Sequence, residues 1–217
     1  MIGFAFFLGI CSSILETQSL YVRSRVSFYN KVSLLGYVSW IQYAARLLIV
    51  ITMAILVFGF EAKLFIDIKL FILIMALGSF FAMIIQIKSE KISNIITRLT
   101  ILFCYLNYKD ETYRNYWSRS EGICKKTIVV SIIIYSFLFI ASYFPLLVAD
   151  KYPEYRMTLS VLAQVGNFLG TVLFIALLEP HYLRKVEAKQ ESAVAFGMIY
   201  GRLISLAFIS LVLFMVK

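Results

Sequence analysis

The sequence predicts an all-α, polytopic membrane protein with about six transmembrane helices, and two observations lead to this fold class. The chain has 217 residues, of which 61% are hydrophobic and 15% charged, and its mean hydropathy is +0.86. A soluble domain of this length cannot bury so much apolar surface. The apolar residues also fall into segments of about 20 residues, which is the length that a helix needs to cross a bilayer.

The apolar segments leave room for one transmembrane domain and for no soluble module. The predicted spans lie at about residues 2–21, 32–60, 70–87, 127–149, 157–178 and 192–216. After the third span, isoleucines and leucines recur at helical spacing opposite Lys91, Asn94 and Arg98. This pattern predicts an amphipathic helix over about 90–106 that lies in the membrane interface. The alternative is a further hydrophobic element packed on the bundle.

The basic residues predict the orientation of the bundle. The loops after spans 1, 3 and 5, with their flanks, hold 14 Lys and Arg, whereas those after spans 2 and 4, with the C-terminal tail, hold 5. Because cytoplasmic loops are enriched in basic residues, we expect the first group in the cytoplasm and both termini outside. The same rule explains the net charge of +9 without a nucleic-acid partner.

The residue types that carry most enzyme chemistry are scarce. Cys11, Cys104 and Cys124 show no paired spacing, so the sequence predicts neither a disulfide framework nor a metal site. His181 is the one histidine and falls in a polar loop, where we expect it to be solvated. Neither a nucleotide-binding nor a hydrolase motif is present. We therefore expect no catalytic site and no cofactor.

Three spans carry polar residues along one face, which a simple membrane anchor does not need. Polar groups are costly in hydrocarbon, so such faces usually look into protein or water. The sequence therefore predicts a polar cavity between these helices. The residues recur at helical spacing: Ser12, Glu16, Ser19 and Arg23 in span 1, Ser39, Gln42 and Arg46 in span 2, and Ser160, Gln164, Asn167 and Thr171 in span 5.

Three charged residues fall deep within the spans. From the cytoplasmic end, Glu16 lies at roughly 9 Å, Arg202 at roughly 14 Å and Arg46 at roughly 21 Å. These depths predict a Glu16–Arg202 pair and leave Arg46 without an acidic partner at its level. A charge at the centre of a spanning helix costs about 2.5–3.5 kcal/mol, so these groups must be paired or hydrated. The structural alternative is a buried network that fixes helix register.

Arginines at several depths favour an anionic substrate, because guanidinium binds phosphate in a bidentate manner. Arg23 and Arg25 would extend the path at the cytoplasmic mouth, and Arg156 would extend it at the outer mouth. Glu179, at the end of span 5, is a candidate switchable group, and the alternative is that it simply lies in water beside Arg184 and Lys185. Small residues recur in spans 5 and 6, and the sequence leaves open whether they pack within one chain or across a homodimer: Gly166 and Gly170, then Ala193, Gly197, Gly201 and Ser205.

Several of these residues also form short motifs that are shared with a known family. They are PEYRMT at 153–158, Asn167, Gly170-Thr171 and Glu179-Pro180 around span 5, Gly201-Arg202-Leu203 in span 6, and Glu16-Thr17, Val22-Arg23 and Arg46 in spans 1 and 2. On these motifs the chain resembles the Amj-type lipid II flippases of bacterial cytoplasmic membranes. It departs from the family at Asn167-Phe168, where the family has Asn-Gly, and at Glu179-Pro180, where it usually has Asp-Pro.

The resemblance implies a flippase that moves a polyprenyl-diphosphate-linked saccharide, a lipid II-like cell-wall precursor, across the bacterial cytoplasmic membrane. The implied partners are this glycolipid and the surrounding membrane lipids. Two alternatives stay open at this point. One is a transporter or channel for a small ion or metabolite, and the other is a membrane scaffold that transports nothing.

Overall fold

The computed structural model describes residues 2–24, 33–61, 67–89, 91–92, 95–96, 123–188 and 190–215. Six helices in these ranges are long and apolar enough to cross a membrane, and no strand occurs within them. The predicted fold class is therefore confirmed, and the protein is a multi-pass membrane protein. Of the predicted interfacial helix, the structure describes only residues 91, 92, 95 and 96, which are helical, and the rest lies outside the described residues.

The helix bounds lie close to the predicted spans except after span 5. The helices are α1 (Ile2–Arg23), α2 (Ser33–Glu61), α3 (Ile68–Lys88), α4 (Lys125–Lys151), α5 (Arg156–Leu173), α6 (Glu179–Glu187) and α7 (Glu191–Met215). A 3₁₀ turn, Pro153–Tyr155, precedes α5. The sequence predicts a loop after residue 178, and this is wrong, because α6 continues the helical path.

A π-helical turn, Phe174–Leu178, joins α5 to α6 and explains why Pro180 does not end the helix. Proline lacks an N–H and its ring clashes with the preceding turn of an α-helix. The π turn widens the backbone just before the proline, and the N–H of Glu179 donates to the carbonyl of Phe174, five residues back. Such turns are frequent at functional sites, and this one places Glu179 at the junction.

α1 lies inside the bundle although it is the least apolar span. It packs against α2, α3 and α7, and a hydrogen bond from Gln86 Nε2 to Gln18 Oε1 (2.9 Å) ties α3 to it. α4 packs against α5 and α7 on the other side of the bundle. Apolar side chains fill the spaces between these helices in two clusters. α2 and α5 are the most peripheral spans and meet each other at few positions.

Both stripes of small residues pack against α4 of the same chain. A Cβ atom on Gly166 would lie 2.6 Å from Cβ of Ala141, and one on Gly170 would meet Leu138. On α7, a Cβ atom on Gly201 would lie 2.5 Å from Cβ of Ser131 and 2.8 Å from a backbone carbonyl oxygen. The stripes are thus used for packing within the chain and leave no argument for a homodimer.

Replacing Gly201 with valine is expected to destabilise the protein by about 1–3 kcal/mol, because the added atoms enter a space bounded by backbone. Gly36→Val is the matched control, since no described residue has an atom within 4 Å of a Cβ atom at that position. We expect the control to stay within about 0.5 kcal/mol of wild type. Unfolding in mixed detergent micelles measures both variants. Equal stabilities for the two would contradict this packing.

Candidate functional site

The centre of the bundle holds a carboxylate between two guanidinium groups. Glu16 Oε2 lies 2.6 Å from Arg202 Nη2, and Glu16 Oε1 lies 3.2 Å from Arg46 Nε. The Glu16 and Arg202 side chains are buried, whereas 19% of the Arg46 side chain is exposed. Because ions are costly to desolvate, a triad at this depth persists only where each charge has partners.

Polar atoms from other helices complete this triad. Arg46 Nη1 donates to Oδ1 of Asn167 at 2.9 Å, which links α2 to α5. Arg202 donates to the carbonyl oxygen and the hydroxyl of Ser13 at 3.3 and 3.2 Å. The Arg202 guanidinium also lies over the ring of Tyr135, 5.6 Å from its centroid. Residues of α1, α2, α4, α5 and α7 therefore converge on one point.

A cavity of about 60 Å³ adjoins the triad. It is lined by Glu16, Arg46, Asn167 and Arg202 together with hydroxyl-bearing side chains, among them Ser12, Ser142 and Tyr143. A cavity with several polar partners is the kind that holds water, and this volume accommodates a few water molecules. Pockets for larger ligands span about 300–1,000 Å³. The cavity suits water or a small ion and is too small for a saccharide headgroup.

The structure agrees with one of the two expectations drawn from helix depth and disagrees with the other. The Glu16–Arg202 pair that helix depth predicts is confirmed. The expectation that Arg46 has no acidic partner is wrong, because Glu16 binds both arginines. Depths along straight axes ignore side-chain length, and an arginine reaches about one helical turn from its own Cα.

A second cluster lies about 10 Å from the first, seven residues further along α1. Arg23 Nη1 donates to Oε2 of Glu179 at 2.7 Å, and Nη2 donates to Oε1 of Gln42 at 3.1 Å. The Arg23 guanidinium lies over the rings of Phe174 and Tyr182, at 5.6 and 5.0 Å from their centroids. Tyr182 also donates its hydroxyl to the Arg23 carbonyl oxygen at 2.8 Å. The Arg23 side chain is buried inside the bundle, whereas the sequence analysis places Arg23 at the cytoplasmic mouth of the predicted path.

The two clusters are joined through α2. Gln42 and Arg46 are four residues apart and therefore lie on one face of the helix, one turn from each other. Glu179, whose side chain is 26% exposed, forms the surface end of this row. A line of polar and charged groups thus runs from Glu179 through Arg23, Gln42 and Arg46 to Glu16.

The remaining candidate residues lie elsewhere. Gln164 is exposed on the outer surface of α5, whereas Asn167, from the same polar stripe of span 5, lines the cavity. α5 is rotated so that its glycines pack against α4, and this rotation turns part of its polar stripe away from the interior of the bundle. Arg156 begins α5, at the opposite end of the bundle from Glu179. Arg25 lies outside the described residues.

The structure adds residues that sequence reasoning missed. Ser13, Tyr135 and Tyr143 line the cavity, and none of them belongs to the polar stripes that the sequence predicts. The sequence does contain a signal that α4 faces the cavity, because hydroxyl-bearing residues recur along this helix. His181 is half-buried on α6 rather than solvated in a loop, and its Nε2 lies 3.8 Å from the sulfur of Cys124. Among the described residues, no group of three or more metal-ligating side chains occurs.

Removing the amide of Asn167 is expected to cost more than removing that of Gln164. Asn167→Leu deletes a hydrogen bond to a charged group and should destabilise the isolated protein by about 1.5–3 kcal/mol. Gln164→Leu, three residues away and exposed, should leave stability unchanged or raise it slightly. Detergent-induced unfolding of both variants checks this, and equal losses would show that the Arg46–Asn167 bond is unimportant.

Two curated relatives match part of the chain. The NADH-quinone oxidoreductase subunit N of Rickettsia conorii is 40% identical over 102 residues, and that of Rickettsia felis is 39% identical over 102 residues. Each match covers 45% of this chain and 22% of the relative, so the chain spans about a fifth of the length of the curated relatives it matches. No protein-family model matches the chain. No solved structure gives a significant match.

These relatives overturn the resemblance drawn from the short motifs. They are named as subunits of a quinone oxidoreductase, so the assignment to the Amj-type lipid II flippases is wrong. The lipid-linked saccharide substrate and the role in cell-wall synthesis are wrong with it, as is the view of the glycolipid as the main partner. Motifs of two to six residues recur by chance in chains rich in a few apolar residue types, which explains the error.

Proposed function

We propose that the chain is a membrane subunit of a larger assembly and conducts a small ion, the proton, through the Glu16 cluster. One observation carries this proposal: a buried carboxylate lies between two guanidinium groups beside a cavity that has room for little more than water. Ionisable residues at this depth are costly and are usually functional.

The proton is the ion that this chemistry handles best. A carboxylate can take up a proton, and neutral Glu16 would then hold Arg46 and Arg202 less strongly. Arg46 has a second partner in Asn167, so it stays bonded when its bond to Glu16 weakens. The cavity has room for water molecules, which together with the surrounding hydroxyl groups would offer hydrogen-bonded positions for a moving proton.

The relatives support both parts of the proposal. Their name makes them subunits, and therefore members of an assembly. It also names a reaction that involves protons, because reduction of a quinone by NADH to the quinol takes up one proton. A membrane subunit of such an assembly has a use for a proton path. We place the protein in the bacterial cytoplasmic membrane on the same grounds.

We also propose that the end of the bundle that holds Cys124 faces the cytoplasm, since the basic loops follow α1, α3 and α6 on that side. A membrane-impermeant maleimide should therefore label Cys124 in inverted vesicles and not in intact cells, in a Cys11→Ser, Cys104→Ser background. Tyr152→Cys, at the other end of α4, should show the reverse pattern. Labelling of Cys124 from outside would contradict this orientation.

The same labelling has a predicted pH dependence. Burial alone would raise the pKa of the Cys124 thiol, but hydrogen bonds from Thr127 and Lys126 and the charge of Lys185 outweigh it and lower the pKa. The thiolate is the reactive form. Labelling of Cys124 should therefore reach its half-maximal rate at a lower pH than that of an ordinary exposed cysteine such as Tyr152→Cys. Lys185→Gln should move the Cys124 profile to higher pH.

Ion flux in membrane vesicles that contain the protein in its native assembly tests the proposal. Dyes sensitive to H⁺, Na⁺ or Cl⁻ are enclosed, a potential is imposed, and vesicles without the chain are the control. We expect chain-dependent movement of H⁺ and not of the other two ions. Movement of Na⁺ or Cl⁻ alone would replace the proton with another ion. The absence of any chain-dependent flux would overturn the proposal in favour of a scaffold that transports nothing.

A further inference from the structure

Contacts between α2 and α5 are sparse, and both helices lie at the periphery of the bundle. α2 packs mainly against α1, and α5 packs mainly against α4, so the bond from Arg46 to Asn167 bridges two helices that meet at few positions. We use the term α2–α5 seam for the strip of surface around this bridge, which includes Tyr43 and Gln164. The Arg46 side chain is partly exposed along this strip.

Polar groups lie on the membrane side of the seam as well as inside it. At about 100° per residue, Gln164 lies about 60° around α5 from Asn167, on the outer side, and it is exposed. Tyr43 lies about 60° around α2 from Arg46 and is 68% exposed. A surface that faces only acyl chains gains nothing from an amide and a phenol at this depth.

The triad beneath the seam carries an excess positive charge. Glu16 supplies one negative charge against the two positive charges of Arg46 and Arg202. The excess is directed toward the seam, since the Arg202 side chain is buried and that of Arg46 is partly exposed. Among the described residues, neither a hydrogen bond nor an ion pair engages Nη2 of Arg46. A guanidinium group in a low-dielectric setting with free donors is complementary to a carboxylate.

Two other sources of an anion for Arg46 are excluded by the geometry. Arg46 lies about 20 Å from either end of α2, whereas lipid phosphates lie at the membrane surface. The described part of a second copy of the chain offers no suitable acid. Within the described spans the acidic residues are Glu16, which is buried, and Glu179, Glu187 and Glu191 at helix ends.

We propose that the α2–α5 seam receives a transmembrane helix of a different polypeptide, and that an Asp or Glu of that helix pairs with Arg46. The choice of a protein partner rests on the proposed role as a subunit. The partner neutralises the excess charge of the triad, and Tyr43 and Gln164 offer it further polar contacts. Docking then closes the open side of the cavity and joins the Glu16 cluster to a neighbouring subunit.

Photocrosslinking in intact cells locates the partner helix. A photoreactive amino acid is placed at Tyr43 and Phe168, which border the seam, and at Phe81 and Phe208 on α3 and α7, which are also exposed. We expect a crosslinked polypeptide from the seam positions and not from the controls. Mass spectrometry of the crosslinked peptide must show a transmembrane segment that contains Asp or Glu. Crosslinks only to lipid, to a second copy or to a segment without an acid would overturn the proposal.

The charge of Arg46 supplies the second test. Arg46→Leu should reduce the crosslinked product by at least about tenfold, because it leaves the partner's acid buried and unpaired, whereas Arg46→Lys should retain most of it. Replacing the partner's acid with its amide in the Arg46→Leu background should restore crosslinking. Unchanged crosslinking in Arg46→Leu would overturn the charge pairing.

These tests separate the docking site from the proposed function. Gln164→Leu should weaken crosslinking while the stability of the isolated chain is unchanged, which a purely structural role would not produce. If crosslinking meets every expectation but vesicles show no ion flux, the docking site stands and the conduction proposal fails. If ion flux is present and no acidic partner is found, the conduction proposal stands and the docking site fails.

Discussion

Glu16→Met is expected to destabilise the protein by about 3–5 kcal/mol, the largest loss expected from a single substitution in this bundle. The change leaves the buried Arg202 and the half-buried Arg46 without their shared carboxylate. Removal of one partner from a buried pair is costly because the remaining charge loses both water and its counter-charge. Unfolding in mixed micelles measures the loss.

A double substitution tests whether charge, and not side-chain volume, causes this loss. Glu16→Met with Arg202→Met removes one charge of each sign, so the triad keeps the excess positive charge of wild type. We expect the double variant to be more stable than Glu16→Met alone, although it lacks more native contacts. If the two substitutions simply add, the Glu16–Arg202 pair contributes no coupling energy.

Arg23→Leu is also expected to give a large effect, a loss of about 1.5–3 kcal/mol, in the same range as that of Asn167→Leu. Arg23 is 2% exposed, and its guanidinium donates to Glu179 and Gln42. The cost is smaller than at Glu16 because Glu179 is partly exposed and water can take over its hydrogen bonds. Unfolding measurements should show Arg23→Lys in between, since lysine keeps the charge but cannot span both acceptors in a fixed fork.

Arg184→Leu is the control for this prediction, since Arg184 is an exposed residue of α6 on the same side of the bundle. It should stay within about 0.5 kcal/mol of wild type. A loss in Arg23→Leu no larger than in Arg184→Leu would show that the second cluster contributes nothing to stability.

The architecture was predictable because transmembrane helices are recognisable from local sequence. Every backbone polar group in a bilayer must be satisfied within its own helix, so length and hydropathy alone locate the spans. The exception is the region after Leu178, where Pro180 and charged residues suggest a loop. The π turn that accommodates the proline is a matter of backbone geometry, which residue types do not encode singly.

The charged residues of the site could be predicted from the sequence, but the way in which the helices arrange them could not. Glu16, Arg46 and Arg202 stand out because charge inside an apolar segment is rare. Which polar residues join them depends on how each helix is rotated. α5 turns its glycines toward α4, so Asn167 faces inward and Gln164 faces outward although both belong to one stripe. Tyr135 and Ser13 become relevant only once the helices are packed.

The family assignment failed for a related reason. Short motifs such as Glu179-Pro180 and Gly201-Arg202 carry too little information to identify a family in a chain so rich in a few apolar residue types. Identity of 40% over 102 residues is a far stronger signal than such motifs.

Proton flux through Glu16 variants decides whether the buried carboxylate carries the ion. Vesicles with the native assembly are compared for wild type, Glu16→Gln and Glu16→Asp, with assembled protein matched in amount. We expect Glu16→Gln, which keeps the shape but cannot exchange a proton, to lose nearly all chain-dependent flux, and Glu16→Asp to retain part of it. Wild-type flux in a correctly assembled Glu16→Gln variant would contradict a proton path through this residue.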